Sequence, residues 1–230
     1  MSHRFYTALA AAPTVIPDIK AVSPKHGDLL RGRSPLTVAK ELTNLGAPCL
    51  SVVTEAANFG GSPTLLQQIS ASVSVPLLRK DFIETSDDLA ETLDLGASAV
   101  LLIAATLTQP TLGMLYEQAL HLGLEPLVEV HTPEEMTFAA ALGPRLLGIN
   151  NRDILNLERD GAGPGLTQTL APTRPPDALL ISESGILSPA DVRRARLAGA
   201  DAVLVGTALW QASDMAVAYR ELCATMQHYG

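Results

Sequence analysis

The sequence predicts an α/β protein: a closed (β/α)8 barrel of the TIM type, in a single domain. Three observations predict it. Short apolar runs and amphipathic stretches alternate along all 230 residues. The amphipathic stretches open on Ser or Thr, several as Ser-Pro or Thr-Pro, and stop at Gly, and the next apolar run starts within a few residues. Polar residues close the apolar runs: Lys20 ends VIPDIK, Lys80 VPLLRK, Glu129 EPLVE, Asn150 LLGIN and Glu183 ALLISE. Runs that are apolar throughout read as strands buried on both faces, the mark of a parallel sheet. Repeated βα units with short returns imply parallel strands. Eight of them in this length fit a barrel near its minimum size. A doubly wound open sheet is the alternative.

In chain order, strands are expected near 15–20, 48–53, 75–80, 98–103, 125–130, 145–150, 178–183 and 201–205. The first holds Pro17, which removes a donor from a ladder that has no free edge in a closed barrel; a bulge or an early strand start would absorb it. A helix near 35–47 carries Pro35 just inside its start and stops at Gly46. A helix near 85–97 has a cap, acidic residues in its first turn and a stop at Gly96. TPEEMTFAAALG and SPADVRRARLAGA repeat that design after the fifth and seventh strands. The longest irregular stretch, 155–177, is rich in Gly and Pro and reads as a mobile loop after strand six.

Composition narrows the function classes. A hydrophobic fraction of 47% with 17% charged residues excludes a disordered chain. The net charge is −8 and Lys and Arg collect nowhere, which argues against nucleic acid as a partner. A small anion remains compatible, because a local cluster can oppose the global sign. Cys49 and Cys223 lie far apart and read as free thiols in a reducing cytoplasm. The N-terminal stretch is too weakly apolar for a signal peptide, and no run approaches the roughly 20 apolar residues of a membrane helix.

The strand ends carry the chemistry. Side chains two apart on a strand share a face. Asp18 and Lys20 therefore point into the barrel mouth above Ile16, Lys80 above Leu78, Glu129 above Leu127 and Glu183 above Ile181. Structural ion pairs closing the barrel top would account for any one of these; five strands doing it together favour an active site. Lysine is a weak acid, with an unperturbed pKa of about 10.4. A second ammonium nearby disfavours its charged form, so Lys20 and Lys80 assist each other as proton donors, while Asp18 and Glu129 pull the other way. A Lys and a Glu facing across a barrel form an acid–base pair.

Ser184-Gly185 and Gly206-Thr207 end the last two strands, whose loops commonly hold phosphate in such barrels. Their glycines let backbone N–H groups approach an anion; ordinary strand-to-helix turns are the bland alternative. Phe59 and Phe82 are candidates for an apolar wall against a flat ring, or for core. Arg152 is placed to clamp a carboxylate. The five histidines show no metal spacing, and His131 lies near Glu129 on a strand end; no metal and no cofactor are expected.

Seven ordered segments give the chain a resemblance. DIKAVSPKHG is similar to the Glu-x-Lys-x-x-Ser-Pro-x-x-Gly signature of the indole-3-glycerol-phosphate synthase family. TEAANFGGS, LLRKDFI, LVEVHTPEE, GINNRD, SESGI and VLVGTAL follow in family order. The resemblance implies a cytoplasmic (β/α)8 lyase of tryptophan biosynthesis acting on 1-(2-carboxyphenylamino)-1-deoxyribulose 5-phosphate by ring closure, decarboxylation and dehydration. It implies Lys80 as general acid and Glu129 as base of the dehydration. Lys20 would contact phosphate or carboxylate and assist proton transfer, and Asn150 and Glu183 would position substrate and lysines. Ser184, Gly185, Gly206 and Thr207 fall on its phosphate site, Phe59 and Phe82 on its aromatic wall, and Ser23 and Arg152 at the anthranilate end.

Two departures stand out. Asp18 replaces the family's Glu, and a misplacement of about 1 Å can cost on the order of 10²-fold in rate. Family members also usually begin upstream with a helix over the barrel mouth, which leaves a homodimer or a pathway-enzyme partner compatible with a bare mouth. A paralogue acting on a related aryl-amino sugar phosphate, or a barrel that binds sugar phosphate without turnover, are the alternative readings.

Overall fold

The computed structural model describes residues 3–152, 154–156 and 163–229. Eight strands form the barrel: β1 Thr14–Ile19, β2 Leu50–Val53, β3 Leu77–Lys80, β4 Ala99–Ile103, β5 Glu125–Val130, β6 Leu146–Asn150, β7 Leu179–Glu183 and β8 Ala202–Val205. All neighbours pair in parallel, and the ring closes between β1 and β8. Each strand lies within two residues of its expected place, and Lys20 falls just beyond the end of β1.

The four helices read from the sequence start where expected, at Pro35, Ser86, Pro133 and Pro189, and others join them. They are α1 Arg4–Ala10, α2 Pro35–Asn44, α3 Pro63–Ser70, α4 Ser86–Asp94, α5 Gln109–His121, α6 Pro133–Ala141, α7 Gly165–Leu170, α8 Pro189–Leu197, α9 Thr207–Gln211 and α10 Met215–His228. Ser34, Ser62, Thr85, Thr108, Thr132 and Ser188 each accept a backbone N–H of the first turn, which satisfies a donor the helix itself leaves unpaired. A short hairpin, Val22–Ser23 with Gly27–Asp28, stands between β1 and α2.

Strand alternation splits the core into two layers. Ile16, Leu78, Leu101, Leu127, Ile181 and Leu204 fill the barrel interior. The opposite face of the strands packs on the helices, with Val52, Val203 and Trp210 in one cluster and Val100, Val128 and Leu147 in another. A filled interior means that the polar residues above it cannot sink inward; they crowd at the carboxyl end of the sheet.

Pro17 is the last β1 residue in register with β8, and the ladder to β2 begins at Asp18. The missing donor therefore falls where β1 changes partner, and no bulge is needed.

One expectation needs correction. The stretch 155–177 is not simply an irregular loop. Residues 157–162 lie outside the described residues, but the rest holds a 3-10 turn at Ile154–Asn156, the helix α7 and a second 3-10 turn at Ala171–Thr173. Thr167 anchors α7: its N–H and hydroxyl both donate to Asn151 Oδ1, and its hydroxyl lies 2.7 Å from Ser182 Oγ. Leu170 and Ala171 are buried against the sheet. The N-terminal stretch forms α1, which plugs the amino end of the barrel with Phe5 and Leu9. Among the described residues no helix is long and apolar enough to cross a membrane.

Candidate active site

Two adjoining cavities open at the carboxyl ends of the strands, of about 330 and 390 Å3, and Lys20 and Lys80 line both. The first is apolar. Phe59, Phe82, Leu101, Ile103 and Ile154 wall it. The second is polar and includes Asp18, Arg152, Ser184, Gly185, Gly206 and Thr207. A ligand with a flat ring at one end and an anion at the other would span the two, with its middle over Lys80.

Local structure holds each wall in place. Glu55 takes the backbone N–H groups of Ala57, Asn58 and Phe59 on its carboxylate, which pins the loop carrying Phe59. Lys20 Nζ stands 4.4 Å from the centre of the Phe59 ring, a cation–π contact. Asp81 receives the Phe82 N–H at 2.9 Å and the Thr54 hydroxyl at 2.5 Å. Arg79, buried on the outer face of β3, binds Thr54, Thr92, Asp81 and Glu91. With Arg79 tied outward, the strand alternation turns Lys80 inward.

Beneath the cavities lies a buried ionic cluster. Lys80 Nζ is 3.3 Å from Glu129 Oε2 and 3.3 Å from Glu183 Oε2. Both carboxyl groups are fully buried. Burial, opposed by Lys80 and reinforced by the neighbouring Glu129, pushes Glu183 up to about 8. The buried site therefore favours the protonated form of Glu183. Among the described residues, Glu129 Oε1, Glu183 Oε1 and Asn150 Nδ2 are buried with no hydrogen-bond partner. Buried polar atoms are ordinarily satisfied, so these three are groups in want of a ligand or a proton. Asn150 uses its other amide atom, Oδ1, to accept the Arg152 N–H at 3.1 Å.

The remaining expected residues divide. Asp18 accepts the Ser51 hydroxyl at 2.7 Å and lies in the polar cavity with both lysines. Ser184 and Gly185 both adopt left-handed backbone, φ 58° and 70°, which swings the chain after β7 round the polar cavity; for Ser184 that conformation is uncommon and marks a functional turn. Arg152 lines the polar cavity and not the apolar one. Ser23 is buried in the hairpin after β1 and lines neither. His26, on the same hairpin, is held below its ordinary value by partial burial and by the positive charges of Arg152, Lys25 and Lys20. The mouth is thus locally cationic in a chain of net charge −8, which suits an anionic substrate.

Two contributors, Gly148 and Glu135, escape a reading of strand ends. Gly148 faces the Glu183 carboxyl so closely that a methyl group there would meet Oε1 at 2.1 Å; a Gly inside the run LLGIN is the signal. His131, just beyond β5, meets Glu129, and Glu135 on α6 holds His131 at the spacing of HTPEE. Among the described residues no group of three His, Cys, Asp or Glu is placed to hold a metal ion.

A profile of indole-3-glycerol phosphate synthase matches residues 2–222. The chain belongs to the indole-3-glycerol phosphate synthase family. It is 43% identical over 202 residues to the indole-3-glycerol phosphate synthase of Pyrococcus furiosus, covering 88% of each chain. It is 41% identical over 214 residues to indole-3-glycerol phosphate synthase 1 of Streptomyces coelicolor, covering 93% of this chain and 78% of that one. The counterpart in Rhodopirellula baltica is 39% identical over 223 residues, which span 96% of this chain and 85% of that one. Membership of the indole-3-glycerol phosphate synthase family makes the protein a carboxy-lyase of tryptophan biosynthesis.

Proposed function

We propose that Lys80 is the general acid of indole-3-glycerol phosphate formation in this chain, with Glu129 as the base of its final step. The observation that carries the reading is the position of the Lys80 ammonium. It lies where the apolar cavity meets the polar one, bound to Glu129 and Glu183. The aryl ring of 1-(2-carboxyphenylamino)-1-deoxyribulose 5-phosphate enters the apolar cavity between Phe59 and Phe82. Its phosphate enters the polar cavity, against the Ser184-Gly185 and Gly206-Thr207 turns with Lys20. The ketone then lies over Lys80.

Ring closure requires a proton on the ketone oxygen as the carboxyl-bearing ring carbon attacks the carbonyl carbon. Lys80 donates it, and a C–C bond and a hydroxyl group form together. Loss of the carboxyl group as carbon dioxide returns its bonding pair to the ring. Dehydration follows: a proton leaves to Glu129 and the hydroxyl departs as water, protonated by an ammonium of the site. Holding both ends of the substrate brings the two carbons into contact, and such positioning supplies a large share of the rate. Water is kept from the base because Glu129 lies fully buried.

Asp18 does not open a second reading. Its shorter carboxylate still lines the polar cavity, held by Ser51, and Gly206 passes close beside it. A phosphorylated substrate of this kind is confined by membranes, and we place the activity in the cytoplasm.

The test is Lys80→Ala, assayed for indole fluorescence from the carboxyphenylamino ketose phosphate. Turnover is expected to vanish while the circular dichroism spectrum and melting temperature stay close to those of the parent. Turnover retained by a folded variant would remove Lys80 from the role of acid.

A further inference from the structure

Just past the end of β5 stands a titratable group that the steps above leave unused. His131 lies two residues on and shares the face of Glu129. Its ring is set between two carboxylates: Nε2 is 3.5 Å from Glu129 Oε1 and Nδ1 is 3.2 Å from Glu135 Oε2. Glu129 Oε1 and His131 Nε2 are both buried, and among the described residues neither has a hydrogen-bond partner. They are each other's neighbours at 3.5 Å, so a small approach would let one proton between them satisfy both.

Glu135 fixes the ring. Its Oε2 accepts the His131 backbone N–H at 2.7 Å as well as contacting Nδ1. Its own N–H is held by Thr132 Oγ1 at 3.1 Å, at the start of α6. A proton on Nδ1, held by Glu135, leaves the Nε2 lone pair aimed at Glu129. Exposure rises in order along the three: the Glu129 side chain is 0% exposed, that of His131 9% and that of Glu135 20%. They form a graded path from the buried base to water.

We propose that His131 is a relay that carries the proton taken up by Glu129 out to solvent, with Glu135 as the residue that positions its ring. This rests on Glu129 being the base of the dehydration. Glu129, having accepted a proton from the substrate, is a neutral carboxyl group. The Oε1–H bond breaks as an Nε2–H bond forms, giving back the carboxylate and making His131 an imidazolium. The imidazolium loses a proton to water at its exposed edge, directly or through Glu135, and the ring is neutral again. The charged groups that face this ring are Glu129 on β5, Lys80 on β3 and Glu135 on α6. Burial alone would lower the proton affinity of the ring, and Lys80 lowers it too. The hydrogen bond to Glu135 and the charges of Glu129 and Glu135 outweigh both and hold it above the ordinary value. A raised proton affinity suits a ring that must take a proton from a carboxyl group.

Steady-state indole formation at saturating substrate, in which Glu129 must be emptied in every cycle, tests this in the parent protein and in His131→Ala, His131→Gln and Glu135→Gln. His131→Ala is expected to slow the turnover by about tenfold or more, with KM in steady state within about twofold of the parent. Added imidazole is expected to recover part of that rate. His131→Gln keeps a donor toward Glu129 but carries no proton at neutral pH, and is expected to stay slow. Glu135→Gln is expected to slow the turnover less than His131→Ala. Parental rates in His131→Ala, or full recovery in His131→Gln, would overturn the relay, and His131→Gln alone decides the matter if the alanine variant does not fold. A parent protein with no turnover at all would count against the assigned reaction instead, so the two failures are told apart.

Discussion

Gly148 shows how much a site can depend on a side chain that is absent. It stands opposite Glu129 in the β5–β6 ladder and beneath the carboxyl group of Glu183. A methyl group at this position would meet Glu183 Oε1 at 2.1 Å and push the carboxyl group off Lys80. The barrel interior is close-packed and cannot absorb the shift. Gly148→Ala is therefore expected to reduce kcat/KM by about 10²-fold, since displacement of a catalytic group by about 1 Å has that scale of effect. It should also cost about 1–3 kcal/mol of stability through overpacking. Steady-state kinetics and urea denaturation check both, and parental kinetics in the variant would show that Glu183 need not sit where it does. At the same scale, Ser23 illustrates the reverse. Its place in the first motif suggested contact with substrate, but hairpin pairing buries it away from both cavities.

At the scale of elements, the two ends of the barrel have separate duties. The carboxyl end holds the cavities; the amino end is closed by α1. Glu125, the first residue of β5, accepts the N–H groups of Phe5 at 2.7 Å and Tyr6 at 2.8 Å, acting as a remote cap for a helix whose preceding residue supplies none. Arg145 stacks on Tyr6 at 3.8 Å from the ring centre. Glu125→Ala removes two hydrogen bonds to a charged, buried acceptor, and the expected loss is about 2–4 kcal/mol. Activity per folded molecule is expected to hold, because β5 separates Glu125 from Glu129 by its whole length. A denaturation midpoint equal to the parent's would show that Phe5 and Leu9 seat α1 by packing alone. α1 itself was hard to read from RFYTALA, which is short and has no capping side chain. The capped and glycine-stopped helices were legible because each signal is local.

For the whole molecule, the buried cluster links stability to pH. Glu183 titrates near 4.5 when exposed and is pushed up to about 8 in the fold. Between those values the folded chain holds a proton that the unfolded chain has released. Stability from this group therefore falls as pH rises from about 4.5 to about 8, and changes little outside that window. Glu183→Gln deletes the titration while keeping the shape. The melting temperature of the variant relative to the parent is expected to climb steadily over that range. A difference that stays flat with pH would mean that Glu183 is ionised throughout. The mouth above it carries the opposite sign to the whole: net charge −8 overall, with Lys20, Lys25 and Arg152 gathered there.

The order of strands and helices, the closed barrel and the set of ionic strand ends were all readable from periodicity, caps and glycine stops, because those signals act over a few neighbouring residues. The family followed from the seven motifs in order. What only the tertiary structure decided is which of these groups meet. Lys80 sits on Glu129 and Glu183, Arg152 turns to the polar cavity, Ser23 to neither, and His131 closes on Glu129. Such contacts join strands from distant stretches of chain, and their distances are set by the tilt and packing of the closed sheet, which no local stretch of sequence encodes.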